Sequence, residues 1–121
     1  MLNKGNLAEK IALNLLKKRG YKILDKNFKV PKIGEIDILA FKDKKIHCIE
    51  VKSSWSKNNK FLWEKILGKK LKRILKTFEI WLKIKGPIFI KNLYEKYDLE
   101  IDLIEIKKTK NKIKFKITHN I

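Results

Sequence analysis

The sequence predicts one α/β domain with the element order helix, three strands, helix and two strands. Three observations lead to this fold class. The 121 residues are 44% hydrophobic and 36% charged, with only 5 Gly and 2 Pro, as is typical of a single globular domain. Apolar residues recur at helical spacing in two segments and at alternate positions in the others. No repeat or linker divides the chain, so we treat residues 1–121 as one domain.

The first helix is predicted over residues 7–18. Its apolar positions follow helical spacing and are Leu7, Ala8, Ile11, Ala12, Leu15 and Leu16. Asn6 is placed as the N-cap, and Gly20 ends the helix. A capping box with Asn6 would explain Glu9 without any function. Because Glu9 also lies at the margin of the apolar face, a carboxylate that points toward the sheet remains the alternative.

Three β-rich segments follow the first helix. They are residues 21–30, 33–41 and 45–53. Pro31 ends the first, and the polar residues Lys42, Asp43 and Lys44 separate the other two, which therefore form a hairpin. If the turn is centred on Asp43 and Lys44, antiparallel partners have residue numbers that sum to 87.

The second helix is predicted from residue 61 to about residue 84, ended by Gly86 and Pro87. One face is apolar, with Leu67, Leu71, Ile74, Phe78 and Trp81 or Leu82, and another is basic, with Lys65, Lys69, Lys72, Lys76 and Lys83. Residues 85–97 carry no pattern that predicts an element. Residues 99–106 and 112–118 are the last two strands, and the alternating lysines of the second are typical of a protected edge strand.

The net charge of +18 favours a polyanionic partner. Lysine dominates, since Arg19 and Arg73 are the only arginines, and ammonium groups contact phosphates rather than read base edges. We therefore expect DNA contacts mainly through phosphates. A lysine-rich composition that merely keeps the surface solvated is the alternative, and an anionic membrane surface is a weaker third option.

The remaining composition predicts a cytoplasmic protein. The single Cys48 excludes an internal disulfide framework and a cysteine-rich zinc site, and burial is its expected role. No apolar run reaches the roughly 18 residues of a membrane span, and the N-terminus does not resemble a signal peptide. His47 and His119 are far apart in sequence, with no second ligand at metal spacing, so we assign them no chemistry.

Acidic residues occur inside two predicted strands whose other residues are mostly apolar and expected to be buried. Strict alternation puts Glu35, Asp37, Leu39 and Phe41 on one face of the second strand, and Ile46, Cys48, Glu50 and Lys52 on one face of the third. The turn register then places Asp37 opposite Glu50, where two like charges destabilise a hairpin unless a cation neutralises them. Two carboxylates beside a lysine predict a Mg²⁺ site. A salt bridge between Lys52 and Glu35 is the alternative.

These residues also carry a resemblance to a known family. The matching segments are the helix with Glu9, residues 20–24, Asn27, GEIDILA from Gly34, IEVK ending at Lys52, the helix with Lys70, Arg73 and Trp81, and EIDLIEI from Glu100. In this order they resemble the YraN-like family, of the PD-(D/E)XK, or restriction-endonuclease-like, nuclease superfamily. The resemblance implies a restriction-endonuclease-like core, with a mixed five-stranded sheet flanked by helices.

The resemblance implies a magnesium-dependent endonuclease, with Mn²⁺ as a substitute for Mg²⁺. Asp37 and Glu50 would ligate the metal, with the backbone carbonyl of Val51 as a further ligand. Lys52 would orient or activate the attacking water, and Glu9 would assist at the metal.

The second helix is the candidate nucleic-acid-binding face, against the alternative of a solvated helix face. Its cations are Lys65, Lys69, Lys70, Lys72, Arg73 and Lys76. We expect an enzyme that acts on DNA, branched or structured forms included, without a small-molecule cofactor or a membrane; a homodimer stays open. The alternatives are a non-catalytic nucleic-acid-binding module that keeps the fold, and a basic accessory protein on ribosomal RNA.

Overall fold

A computed structural model describes residues 4–54, 60–86, 98–108 and 110–121, with side chains described for all of these except 4, 5, 54 and 60–67. The elements are α1 (Lys4–Lys18), β1 (Lys22–Val30), β2 (Gly34–Lys42), β3 (Lys45–Ser54), α2 (Lys60–Ile84), β4 (Asp98–Lys108) and β5 (Ile113–Thr118). This is the predicted order. Of the segment for which the sequence predicts no element, residues 87–97 lie outside the description.

The five strands form one mixed sheet in the order β1-β2-β3-β4-β5. The first three strands are antiparallel neighbours, β3 and β4 run parallel, and β5 returns antiparallel as an edge strand. A parallel pair needs a crossover connection, and α2 lies in the one between β3 and β4. The predicted mixed sheet flanked by helices is confirmed.

The β2–β3 hairpin has the predicted register. Ile38 pairs with Ile49 and Lys42 with Lys45, so the paired residue numbers sum to 87. Asp43 and Lys44 both have positive φ angles, 51° and 62°, as a two-residue turn between twisted strands requires.

Each helix covers one face of the sheet with its apolar stripe. On one face α1 buries Ala8, Ala12 and Leu16 against a cluster that includes Ile38 and Ile49. On the other face α2 buries its stripe against a cluster that includes Leu39 and Cys48; the stripe contains Ile74, Phe78 and Trp81. Of the helices described, none has the length and apolar character needed to cross a membrane.

The carboxylate of Asp25 in β1 binds the end of α2. Asp25 Oδ2 accepts hydrogen bonds from Trp81 Nε1 at 2.9 Å and from Lys85 Nζ at 3.0 Å. Asp25 lies where the β1–β2 register shifts by one residue. These contacts fix the position of α2 over the sheet.

Two local predictions are wrong. The first helix begins at Lys4, so Asn6 lies inside its first turn and cannot be the N-cap of a capping box with Glu9. Strict alternation also fails in β2, since Ile36 packs on the α2 face with Leu39, whereas Ile38 packs on the α1 face.

The break in alternation occurs at Asp37 and in the facing part of β1. Lys26 pairs with Ile38 and Phe28 with Ile36, so the two pairs bracket Asn27 and Asp37. Asn27 has a φ of 52°, in the left-handed region that asparagine tolerates better than most residues. Because the irregularity occurs in both strands at the same place, their side chains change faces together at the position of the candidate site.

Candidate functional site

Asp37 and Glu50 lie side by side on neighbouring strands. The amide of Val51 donates a hydrogen bond of 2.9 Å to Asp37 Oδ2, so the carboxylate of β2 is held against β3 next to Glu50. Burial raises the pKa of Asp37, and the hydrogen bond from Val51 and the charge of Lys70 lower it in part. The β2 carboxylate is therefore oriented by the backbone of β3.

Glu50 is the most unusual ionisable group of the site. Its exposed fraction is 3%, and its Oε1 is buried with no hydrogen-bond partner among the described residues. Burial, followed by the charge of Asp37, raises the pKa of Glu50 to about 7. A buried carboxylate oxygen without a partner is costly, and a bound cation would satisfy it.

Two lysines complete the centre of the site. Lys70 of α2 forms an ion pair with Glu50 Oε2 at 2.9 Å. Burial lowers the pKa of Lys70, but the hydrogen bond and charge of Glu50 outweigh burial and leave it raised. The pKa of the half-buried Lys52 is lowered, first by burial and then by the charge of Lys70. Two ammonium groups thus share one pair of carboxylates.

Glu9 reaches the same region from α1. With the Asn27 amide oriented as a donor, its nitrogen lies 3.0 Å from Glu9 Oε2 and 3.2 Å from Glu9 Oε1. Burial raises the pKa of Glu9, as does the charge of Asp37, while the hydrogen bond from Asn27 lowers it. Of the two alternatives for Glu9, this geometry favours the carboxylate that points toward the sheet.

The predicted site residues thus divide into three groups. The first is the acidic centre, which we define as Glu9, Asp37, Glu50, Val51 and Lys52, with Lys70 added to it by its ion pair with Glu50. The second is exposed on α2 and comprises Lys69, Lys72, Arg73 and Lys76. The side chain of Lys65 lies outside the described residues.

The acidic centre has the donor set of a hard-cation site. Its side-chain ligands are carboxylate oxygens, which Mg²⁺ and Mn²⁺ prefer, and one of them, Glu50 Oε1, has no described protein partner. Asp37 and Glu50 stand close enough for the charge of Asp37 to raise the pKa of Glu50. These residues therefore fit a divalent cation, with two lysines placed to interact with an anionic ligand beside it.

Four other side chains form a second group, to which the sequence analysis assigned no chemistry. One ligand atom from each lies within 4.8 Å of all the others, so this group could hold a metal ion; its members are His47, Glu100, Asp102 and His119. The interpretation of His47 and His119 as isolated is wrong. Parallel pairing places His47 beside Glu100, and the chain beyond β5 brings His119 back to them.

A signal for this second group was present in the sequence. Glu100 and Asp102 alternate with Leu99, Ile101 and Leu103, so both acids share one face of an otherwise apolar strand. His47 likewise occurs inside the apolar segment IHCIEV. What the sequence lacks is the pairing of β3 with β4, because 55 residues separate His47 from Asp102.

Comparison with known proteins identifies the family. The model of "Uncharacterised protein family UPF0102" matches residues 8–106. A UPF0102 protein of Campylobacter jejuni subsp. doylei is 44% identical over 103 residues, 85% of this chain and 82% of the relative. UPF0102 proteins of Caldanaerobacter subterraneus subsp. tengcongensis and Sulfurimonas denitrificans are 36% and 38% identical, over 84% and 76% of this chain and 77% and 81% of the relatives. The chain therefore belongs to the UPF0102 family, the YraN-like family that its motifs resemble.

Proposed function

We propose that this protein is a metal-dependent endonuclease that hydrolyses phosphodiester bonds in DNA. The observation that carries the proposal is the buried carboxylate pair of Asp37 and Glu50, in which Glu50 Oε1 has no hydrogen-bond partner among the described residues and Oε2 pairs with Lys70. In a chain of net charge +18, two carboxylates buried side by side are costly unless something offsets their repulsion. A bound cation would offset it.

Asp37 and Glu50 would hold a Mg²⁺ ion, with Mn²⁺ as a substitute, and Glu9 would contribute directly or through water. When bound, the ion supplies positive charge to the scissile phosphate. Val51 positions Asp37 through its amide, and the ion pair with Lys70 favours the ionised form of Glu50 against the effect of burial. The carbonyl of Val51 remains a proposed additional ligand.

Lys52 is the proposed catalytic residue for proton transfer. Its lowered pKa brings the amine closer to the neutral form, in which the nitrogen can accept a proton from an attacking water. As the water oxygen bonds to phosphorus, its proton would pass to the neutral Lys52 Nζ, and the bond from phosphorus to the leaving sugar oxygen would break. The leaving oxygen would take a proton from solvent water. Lys70, with its raised pKa, stays cationic and would offset charge that develops on the phosphate.

The exposed cations of α2 would bind the substrate. Lys69, Lys72, Arg73 and Lys76 lie on the same helix as Lys70, and all four side chains reach solvent. A phosphate chain that runs along this face would pass beside the acidic centre. Such contacts carry affinity without base recognition, which suits a substrate chosen by its shape.

The decisive experiment measures cleavage of labelled DNA by the purified full chain. The substrates are linear duplex, single-stranded and four-way-junction DNA, with an RNA of the same sequence, each with Mg²⁺, Mn²⁺ or EDTA. We expect DNA cleavage with either metal and none with EDTA. Glu50→Gln should lose at least a hundredfold in rate, and Glu79→Gln, an exposed carboxylate of α2, should cleave like the wild type.

Binding of the same substrates distinguishes this proposal from the non-catalytic alternative. Tight binding of DNA without cleavage under any metal condition would contradict the endonuclease and favour the binding module. Cleavage that proceeds unchanged in Glu50→Gln would place the chemistry elsewhere.

A further inference from the structure

We propose a second metal site, independent of the acidic centre, for a transition-metal dication of the Zn²⁺ type. Its ligands are His47, Glu100, Asp102 and His119. His47 and Glu50 point to opposite faces of the sheet, because their positions in β3 differ by three, an odd number. Tyr21, which packs in the α1-side cluster, contacts His47 edge-on, with ring centroids 5.1 Å apart.

Three of the distances among the ligand atoms are close to those of a tetrahedral ion, and all of them lie within 4.8 Å. With metal–ligand bonds of about 2.0–2.1 Å, the ligand atoms of such an ion lie about 3.3 Å apart. His47 Nδ1 lies 3.4 Å from Glu100 Oε2, and His119 Nδ1 lies 3.3 Å from Asp102 Oδ2 and 3.6 Å from Glu100 Oε2. One edge is shorter, since His47 Nδ1 and Asp102 Oδ2 share a hydrogen bond of 2.7 Å. Replacing that bond with two metal bonds needs a movement of well under 1 Å.

Each carboxylate of the site already has one oxygen committed to another group. Asp102 Oδ1 accepts the Asn120 amide at 2.9 Å, and Glu100 Oε1 accepts Lys45 Nζ at 3.1 Å. The other oxygens, Oδ2 and Oε2, both face the two imidazoles. Outer hydrogen bonds of this kind orient the ligands of metal sites.

The position of His119 beyond the last strand is also fixed. Its neighbour Asn120 donates to Asp102, and the amide of Ile121 donates to the carbonyl of Ile101 at 2.8 Å. Asn120 adopts a φ of 54°, which turns the chain back over β4. His119 is therefore held beside β4 by its own backbone, and its 51% side-chain exposure gives an ion access from solvent.

The donor set decides the class of metal. Two imidazoles with two carboxylates suit a borderline ion such as Zn²⁺ or Co²⁺ better than Mg²⁺, which prefers oxygen alone. Four protein ligands make a closed site, which is typical of a structural metal rather than a catalytic one. The ion would join β3, β4 and the segment after β5.

The test is a calorimetric titration of the untagged full chain with Zn²⁺ alone. We expect one tight Zn²⁺ per chain, and a loss of at least tenfold in affinity in His119→Ala, which removes an exposed ligand outside the strands. Zn²⁺ should raise the melting temperature of the wild type more than that of His119→Ala. Co²⁺ in place of Zn²⁺ should give the intense visible absorption of a tetrahedral ion.

The two histidines are the only ones in the chain, so their imidazole nitrogens report the site directly. Zn²⁺ should shift the ¹⁵N resonances of both rings, and it should do so equally in Glu50→Gln, in which the acidic centre is altered. Unshifted ring nitrogens, or equal Zn²⁺ affinity in His119→Ala and the wild type, would overturn the proposal. Zn²⁺ binding that is lost in Glu50→Gln and kept in His119→Ala would place the ion in the acidic centre and overturn it too.

Discussion

Glu50 combines almost complete burial with a proposed role as a metal ligand. Its pKa of about 7, against 4.5 for an ordinary glutamate, means that the folded protein holds this proton more tightly than the unfolded chain does. Between these two pH values folding takes up a proton, so stability falls as the pH rises. Below pH 4.5 the penalty is absent, and above pH 7 it is fully present.

Replacing Glu50 with Gln should remove this penalty. At pH 8 we expect Glu50→Gln to be more stable than the wild type by about 1 to 3 kcal/mol, since part of the gain offsets the lost ion pair with Lys70. At pH 4 the two proteins should be nearly equal. Urea unfolding at pH 4, 6 and 8 measures the difference, with Glu79→Gln as the exposed control. Identical pH profiles for Glu50→Gln and the wild type would contradict the burial cost.

Lys52 distinguishes an enzyme from a binding protein. If it transfers the proton, Lys52→Ala should slow cleavage by about a hundredfold or more, the usual effect of a positioned catalytic group. Affinity for DNA should change little, because one of 31 cations contributes at most about one unit to the salt dependence. Lys17→Ala, an exposed lysine of α1, is the matched control.

Stability must be measured on the same Lys52 preparations. If Lys52 instead anchors Glu35, as the alternative interpretation of the hairpin has it, the substitution should cost about 1 to 3 kcal/mol of folding free energy. Lys52→Met retains much of the aliphatic packing and serves as a second variant. Normal cleavage by folded Lys52→Ala would refute the catalytic role.

At the scale of elements, the contact between β2 and α2 sets the site. An added Cβ at Gly34 would lie 2.9 Å from Thr77 Oγ1 and 3.3 Å from the Arg73 carbonyl oxygen, so the helix and the strand touch through this glycine. Thr77 in turn donates to the Arg73 carbonyl at 2.7 Å. Lys70 lies one helical turn before Arg73 on α2. Its ion pair with Glu50 depends on this close approach of the helix to the strand.

Gly34→Ala should therefore destabilise the protein by about 1 to 3 kcal/mol, because a backbone oxygen cannot move aside without shifting α2. Gly68 provides the matched control, since a Cβ there meets nothing within 4 Å and the residue lies inside α2. Gly68→Ala should stabilise by about 0.5 to 1 kcal/mol through helix propensity. Urea denaturation of both variants measures the two effects, and equal stability of Gly34→Ala and the wild type would show that the contact yields.

At the scale of the whole molecule, an acidic centre is embedded in a strongly basic protein. The surrounding field attracts polyanions, while the carboxylates would repel a phosphate unless a cation lies between them. One helix, α2, thus carries both Lys70, which pairs with Glu50, and the exposed cations that are proposed to bind the substrate.

Salt dependence of DNA binding tests this arrangement. Reversing Lys69, Lys72 and Lys76 to Glu should flatten the plot of log affinity against log salt by about 0.9 for each phosphate contact that is lost. The same number of reversals at Lys17, Lys18 and Lys22, exposed at the end of α1 and the start of β1, should change the slope less. Fluorescence anisotropy of labelled DNA at salt concentrations from about 50 to about 200 mM measures the slope of each triple variant. Equal slopes in the two triple variants would contradict the assignment of the DNA-binding face to α2.

Much of the fold could be predicted because its determinants are local. Helical spacing placed the apolar stripe of α2, and two polar residues at the hairpin turn set the β2–β3 register correctly from Lys42 to Ile38. That register also brought Asp37 and Glu50 into proximity. Local periodicity failed where Asn27 and Asp37 break the alternation, since that break depends on the pairing of two strands.

Only the tertiary structure placed Lys70 on Glu50 and joined His47 to the acids of β4. Both contacts depend on how α2 crosses from β3 to β4, and the length of chain between the partners leaves no periodic signal. The sequence by itself determined the elements, the hairpin and the family resemblance, because these rest on side-chain order over short distances. The tertiary structure decided which faces meet, because burial of both helix stripes against one sheet is a property of the whole chain.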